Sequence, residues 1–165
     1  MSDEFVVALT AADWLPYLET LNLSGDPEMD EVGIGAAGAA ALAAAAWPRL
    51  QKLELSSNNL CGEAAAALAA AAWPRLQQLN ISGNPVGPMG AASLTEGKWP
   101  SLTKLNLDSN DVGGVGAASL VLLGCANWTS LQTLHLEYNG LEECMGAVLD
   151  LAAAKWPGLQ VLLEV

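Results

Sequence analysis

The chain has 165 residues, 52% of them apolar and 15% charged, which suits one domain with a sizeable core and excludes disorder throughout. Eighteen acids against six bases give a net charge of −12, which argues against binding a nucleic-acid backbone, since that needs clustered Lys and Arg. No apolar run reaches the ~20 residues of a membrane-spanning helix; the longest, residues 35–47, is mostly alanine.

The N-terminal residues 1–31 carry eight acids and no base. Such a segment solubilises the chain or meets a basic protein partner. Met1-Ser2-Asp3-Glu4 lacks the basic start of a signal peptide. Residues 1–13 are predicted to form an N-terminal helix that stands in for a cap, and residues 14–165 a repeat array of about five units. Cys61, Cys125 and Cys144 are odd in number and have no zinc or redox spacing. They read as reduced thiols in an intracellular, cytoplasmic protein.

Tryptophans mark the repeat at Trp14, Trp47, Trp73, Trp99, Trp128 and Trp156, spaced 33, 26, 26, 29 and 28 apart. Pro48, Pro74, Pro100 and Pro157 follow four of them. A leucine comb comes next: Leu50-x-x-Leu53-x-Leu55-x-x-Asn58-x-Leu60 in one copy, Leu76, Leu79, Ile81, Asn84 and Val86 in another. Leu102, Leu105, Leu107, Asn110 and Val112 form a third copy, and Leu131, Leu134, Leu136, Asn139 and Leu141 a fourth. Leu18, Leu21, Leu23 and Asp26 match less well. This LxxLxLxxNxL comb resembles the defining motif of the leucine-rich repeat family. The Ala-rich second half of each unit, as in Gly87-Pro-Met-Gly90-Ala-Ala-Ser-Leu94, is similar to the ribonuclease-inhibitor-like subclass. The resemblance implies an α/β solenoid, a horseshoe arc with short parallel strands inside and Ala-rich helices outside.

The residues themselves support that reading. Leu53 and Leu55 are two apart and face one side of a short strand, with Glu54 on the other. Asn58 is placed to bond backbone groups as the chain turns. Residues 64–72 have high helix propensity, and Pro74 stops the helix. The fixed place of the tryptophans at the helix ends points to core rather than to a binding ladder. In the first copy about six extra residues follow Leu23, predicting a polar loop with Asp26, Glu28, Asp30 and Glu31. The last copy, from Leu159, ends on a strand with Glu164 where the comb wants leucine. That pattern predicts a fragment of a longer protein or, less favoured, an edge that pairs with another chain.

Three columns of side chains are predicted to face away from the core. The central one holds Asn22, Glu54, Asn80, Asn106 and His135; the one before it holds Thr20, Lys52, Gln78, Lys104 and Thr133. The third holds Ser24, Ser56, Ser82, Asp108 and Glu137, with Tyr138 beside it. In the family this concave face commonly takes a protein partner. The resemblance therefore implies Lys52, Glu54, Asn80, Lys104, Asn106, Asp108, His135, Glu137 and Tyr138 as contacts, whereas polarity alone is equally explained by solvation.

Other motifs carry less. Gly33-x-Gly35-x-x-Gly38 satisfies a dinucleotide fingerprint, but other copies keep equivalent glycines and the preceding segment is acidic. Asp26-x-Glu28-x-Asp30 hints at a calcium loop, yet Glu31 and Ala37 stand where an EF-hand needs Gly and Glu. His135 is the sole histidine, so no metal centre and no catalytic His constellation is expected, and no cofactor. The expected function is a non-catalytic protein–protein interaction module. The alternatives are a regulator such as a GTPase-activating repeat protein, for which Arg49 and Arg75 are the only arginines, or a structural segment of a solenoid.

Overall fold

The computed structural model describes residues 2–26 and 33–163, with backbone alone at 122, 123, 125 and 126. Glu28, Asp30, Glu31 and Glu164 lie outside the described residues. Each comb makes one three-residue strand: β1 Thr20–Asn22, β2 Lys52–Glu54, β3 Gln78–Asn80, β4 Lys104–Asn106, β5 Thr133–His135 and β6 Gln160–Leu162. They form one parallel sheet in strict sequence order. The register keeps the repeat in line, pairing Leu53 with Leu79, Leu79 with Leu105 and Leu105 with Leu134.

Helices α2 (Ala36–Ala44), α3 (Gly62–Ala69), α4 (Gly87–Leu94), α5 (Gly113–Asn127) and α6 (Met145–Lys155) connect successive strands. Each packs against its sequence neighbours in a layer on one side of the sheet. Between sheet and helices lies a continuous core in which Leu50, Leu53, Leu55, Leu60, Ala64, Ala65 and Leu68 of one unit are all buried. A single unit has no second layer to cover its leucines, so stacking supplies the burial. The α/β solenoid implied by the comb is the fold observed.

Small residues set the helix spacing. A Cβ added at Gly90 would sit 2.9 Å from Gly62 Cα, and one at Gly116 3.0 Å from Pro88 Cα. Glycine at these two positions lets neighbouring helices touch by their backbones. The helix expected over residues 64–72 ends at Ala69, because the Ala70 and Ala71 N–H groups turn back onto Ala67 and Leu68. Three residues therefore separate that helix from Trp73.

Trp47, Trp73, Trp99 and Trp128 are fully buried, and Trp156 nearly so. Trp73 and Trp99 stack with ring centroids 5.9 Å apart, Trp99 and Trp128 at 6.0 Å, within the range of offset aromatic pairs. Trp47 donates to Leu42 O and Trp128 to Gly97 O. The indole N–H groups of Trp73 and Trp99 are buried without an acceptor. Trp14, which precedes the first strand, departs from the core reading, being 49% exposed.

The N-terminal helix α1 covers Asp3–Leu9, shorter than the thirteen-residue segment expected, and a 3-10 turn follows at Leu15–Tyr17. Helix α1 packs on α2 and buries Val6. Asp3 Oδ1 accepts the Gly35 N–H at 2.7 Å. A carboxylate from one helix thus caps the N-terminus of the next, where the helix dipole favours negative charge.

Candidate functional site

The sheet face opposite the helices carries the three predicted columns. The alternation is plain in β2, β3 and β4, where a buried leucine stands between two more exposed polar residues. Pairing brings Glu54 beside Asn80, Asn80 beside Asn106, and Asn106 beside His135. Gln78, Lys52 and Lys104 share the row before them. A shallow depression of about 120 Å³ lies among Lys52, Glu54, Gln78, Asn80, Lys104 and Asn106. The nine implied contact residues thus lie on or beside one face.

Their side chains are held in defined positions, which the sequence reading missed. Asn80 Oδ1 accepts the N–H of Ser82 at 3.0 Å, and Asn106 Oδ1 that of Asp108 at 2.8 Å. Asn22 does the same with Ser24. Each is an Asx turn in which the oxygen is spent on the chain's own backbone. Their amide N–H groups make no protein hydrogen bond among the described residues, so the column presents donors. Lys52 Nζ and Glu54 Oε1 form an ion pair at 3.0 Å; the two stand two apart on the same side of β2.

Asp108 is the most constrained member. Its Oδ1 accepts the Glu137 N–H at 2.8 Å, and its Oδ2 lies 3.8 Å from His135 Nδ1. Both side chains are mostly buried. One carboxylate therefore ties the turn after β4 to the turn after β5 and lies beside the imidazole. Glu137 is partly exposed beside it and Tyr138 is 59% exposed. Tyr138 has φ +55°, in the left-handed region. Ser57, Gly83 and Ser109 hold the equivalent position in the other copies, also at positive φ. A large side chain there costs about 1–2 kcal/mol relative to glycine.

Beneath this face runs an asparagine ladder. Asn58, Asn84, Asn110 and Asn139 each donate Nδ2–H groups to carbonyls of their own turn or the preceding strand. Asn58, Asn84 and Asn139 accept backbone N–H groups from the preceding unit. Asn110 Oδ1 is the exception, buried without a donor. Its expected donor, Val86 N–H, instead bonds to Asn84 O across Pro85, a three-residue turn that proline favours.

Elsewhere the described residues offer little chemistry. No group of three or more His, Cys, Asp or Glu among them is arranged to hold a metal ion. Arg49 lies 5.7 Å from the Tyr17 ring centroid, a packing contact with the first unit. A larger hollow of about 560 Å³ beyond α3 is walled by alanines of the α3 end, Trp73, Pro74 and Pro100, with Glu96 and Lys98 at its side. Of the predicted acidic loop, Asp26 alone is described, and it is exposed. No helix among the described residues is long and apolar enough to cross a membrane.

Six parallel strands alternating with helices, a leucine comb and an asparagine ladder define a leucine-rich repeat solenoid. The family model described as Leucine Rich repeat matches residues 75–94 and 100–121, the units of β3–α4 and β4–α5. Among solved structures the chain is similar to one titled Leiomodin-1 Actin-Binding Site 2. The likeness has a TM-score of 0.67 at 16% identity, over 92% of this chain and 85% of that one. No curated protein matches the sequence.

Proposed function

We propose that the chain is a non-catalytic protein–protein interaction module that binds a partner through the open, concave sheet face. The observation that carries this reading is the fixed polar surface of β2–β5. The Asx turns at Asn80 and Asn106 and the pinned Asp108 hold polar groups in place before any partner arrives. Preorganised groups lose little entropy on binding. The ends of the face differ in character: amide donors and Lys104 lie over β3 and β4, while Asp108, Glu137 and Tyr138 lie toward β5. A complementary partner carries acceptors over the first region and a cationic side chain at the second. There the exposed Tyr138 ring offers a cation–π surface.

The name of the similar solved structure speaks of actin binding by that protein. For this chain it supports a protein ligand without selecting actin. The 26–29-residue period with one helix per unit supports the ribonuclease-inhibitor-like subclass. A regulator of a GTPase is the weaker reading, because Arg49 and Arg75 both follow Trp-Pro at one repeat position, which suits a repeated structural role, and Arg49 packs on Tyr17. The proposed location is intracellular, on the reading of the cysteines as reduced thiols.

The test is affinity capture from lysate, comparing wild type with Asn80→Arg/Asn106→Arg. A partner held by wild type and lost by the variant supports the concave-face reading. Equal capture by both removes it.

A further inference from the structure

The depression on the open face is rich in donors. Asn80 and Asn106 stand side by side on β3 and β4, strands about 4.8 Å apart. The oxygen of each already accepts from its own turn, so the amide N–H groups are chiefly what each has to offer. In the row before them, Gln78 stands between Lys52 and Lys104. Lys104 is exposed, and its ammonium makes no ion pair among the described residues. Two of the six bases of the chain therefore line one hollow of about 120 Å³.

Charge decides what those donors select. Lys52 is neutralised by Glu54 at 3.0 Å, which leaves one unbalanced positive charge, on Lys104. Asp108, the next acid along β4, is engaged on the β5 side, with the Glu137 N–H on one oxygen and His135 beside the other. Much of the chain's acidity lies elsewhere, eight of the eighteen acids falling within residues 1–31. A neutral acceptor would leave the Lys104 charge unanswered. A phosphoryl group, at about −1.5 to −2, would bring more charge than the site balances. A carboxylate brings one negative charge and two oxygens with about four lone-pair sites, enough for an amide from each strand and the ammonium. The hollow is small and shallow, which suits the tip of one side chain rather than a helix or a strand.

We infer that this depression takes the carboxylate of an Asp or Glu side chain on a partner protein. Asn80 and Asn106 each donate an amide N–H to it, and Lys104 supplies the counter-charge. Glu54 holds Lys52 and keeps the site at a single positive charge, which matches a monoanion. The inference rests on the concave-face reading and names the chemistry of the partner there.

The test is an NMR titration of the whole chain, read at the side-chain amide signals of Asn80 and Asn106. The probes are three tripeptides with blocked ends, Gly-Glu-Gly, Gly-Gln-Gly and Gly-phosphoserine-Gly, each taken to about 50 mM because a single charge-assisted contact binds in the millimolar range. The Glu peptide is expected to shift both signals saturably, and the Gln peptide is not. Lys104→Gln is expected to weaken the Glu peptide about threefold, the scale of an exposed ion pair. Glu54→Gln, which releases Lys52, is expected to strengthen it by a similar factor, a gain that damage to the fold would not produce. No saturable shift, an equal response to the Gln peptide, tighter binding of the phosphoserine peptide, or an affinity unmoved by Lys104→Gln overturns the inference. Lysate capture lost in Asn80→Arg/Asn106→Arg, whose side chains overfill the hollow, with no carboxylate response in wild type removes this inference and keeps the concave-face reading. A carboxylate response with equal capture by both chains overturns that reading and the partner assigned here with it.

Discussion

Asn84 reaches back across a full repeat to accept the Leu60 N–H at 3.0 Å, and the same oxygen takes the Asn58 N–H at 3.1 Å. Its amide donates to Ile81 O at 2.7 Å and to Leu55 O at 3.1 Å. One buried side chain thus satisfies backbone groups in two turns. An orphaned buried group costs about 1–3 kcal/mol. Asn84→Ala is expected to lower stability by at least about 3 kcal/mol in urea unfolding. Asn59→Ala, at an exposed neighbouring position, is expected to stay within about 0.5 kcal/mol of wild type.

Glycine-to-alanine substitutions are expected to split by position. Alanine normally favours a helix by up to about 1 kcal/mol. At Gly116 the new methyl would meet Val112 Cγ1 at 2.7 Å and Pro88 Cα at 3.0 Å, so Gly116→Ala must push α5 off α4 and destabilise. At Gly146 in α6 nothing lies within 4 Å, and Gly146→Ala is expected to stabilise. Thermal unfolding of the two variants side by side checks the difference in sign.

Asp3→Ala removes the carboxylate that caps α2. The expected loss is about 1 kcal/mol, seen as a fall in Tm of about 2–4 °C for a chain of this size. Faster hydrogen exchange at the Gly35 amide would localise the effect. Asp3→Asn, which keeps the acceptor, is expected to lose less.

Two tryptophans in one stack are expected to differ. Trp128→Phe breaks the bond to Gly97 O and leaves that carbonyl unpaired. Trp73→Phe deletes an indole N–H that has no acceptor. The second substitution is expected to cost less by about 1 kcal/mol, measured by chemical denaturation.

Tyr138→Gly separates stability from binding. Glycine accepts the positive φ without a steric penalty, as Gly83 does in the equivalent turn. The variant is expected to be as stable as wild type or more so by up to about 1 kcal/mol. Its capture of the concave-face partner is expected to fall. A variant that loses stability and keeps its partner would show that the ring is packed for the fold.

The fold was legible because the comb ties each leucine to a strand face and each tryptophan to a repeat position. Period two and period 26 both survive in one-dimensional text. The open-face columns were legible for the same reason, once strands pair in register. What the letters did not reveal were the bonds within those columns. Asn80 and Asn106 read as free polar residues, yet each spends its oxygen on its own turn. Asp108 and His135 lie 27 residues apart, and only pairing of β4 with β5 brings them together. Trp14 has the same letter as the core tryptophans and a different fate, since the letter does not tell which packing surrounds it. The empty acceptor on Asn110 traces to Pro85, a cause 25 positions away.

The sheet runs in sequence order from β1 to β6, so each strand touches only the strands on either side of it in the chain. Removing or duplicating one whole 26-residue period would leave every remaining pairing, asparagine rung and tryptophan stack with a suitable neighbour. The architecture therefore tolerates change of length in units of a repeat, while a shift of a single residue would break the ladder at that point. Each whole unit added or lost would lengthen or shorten the open sheet face by one strand.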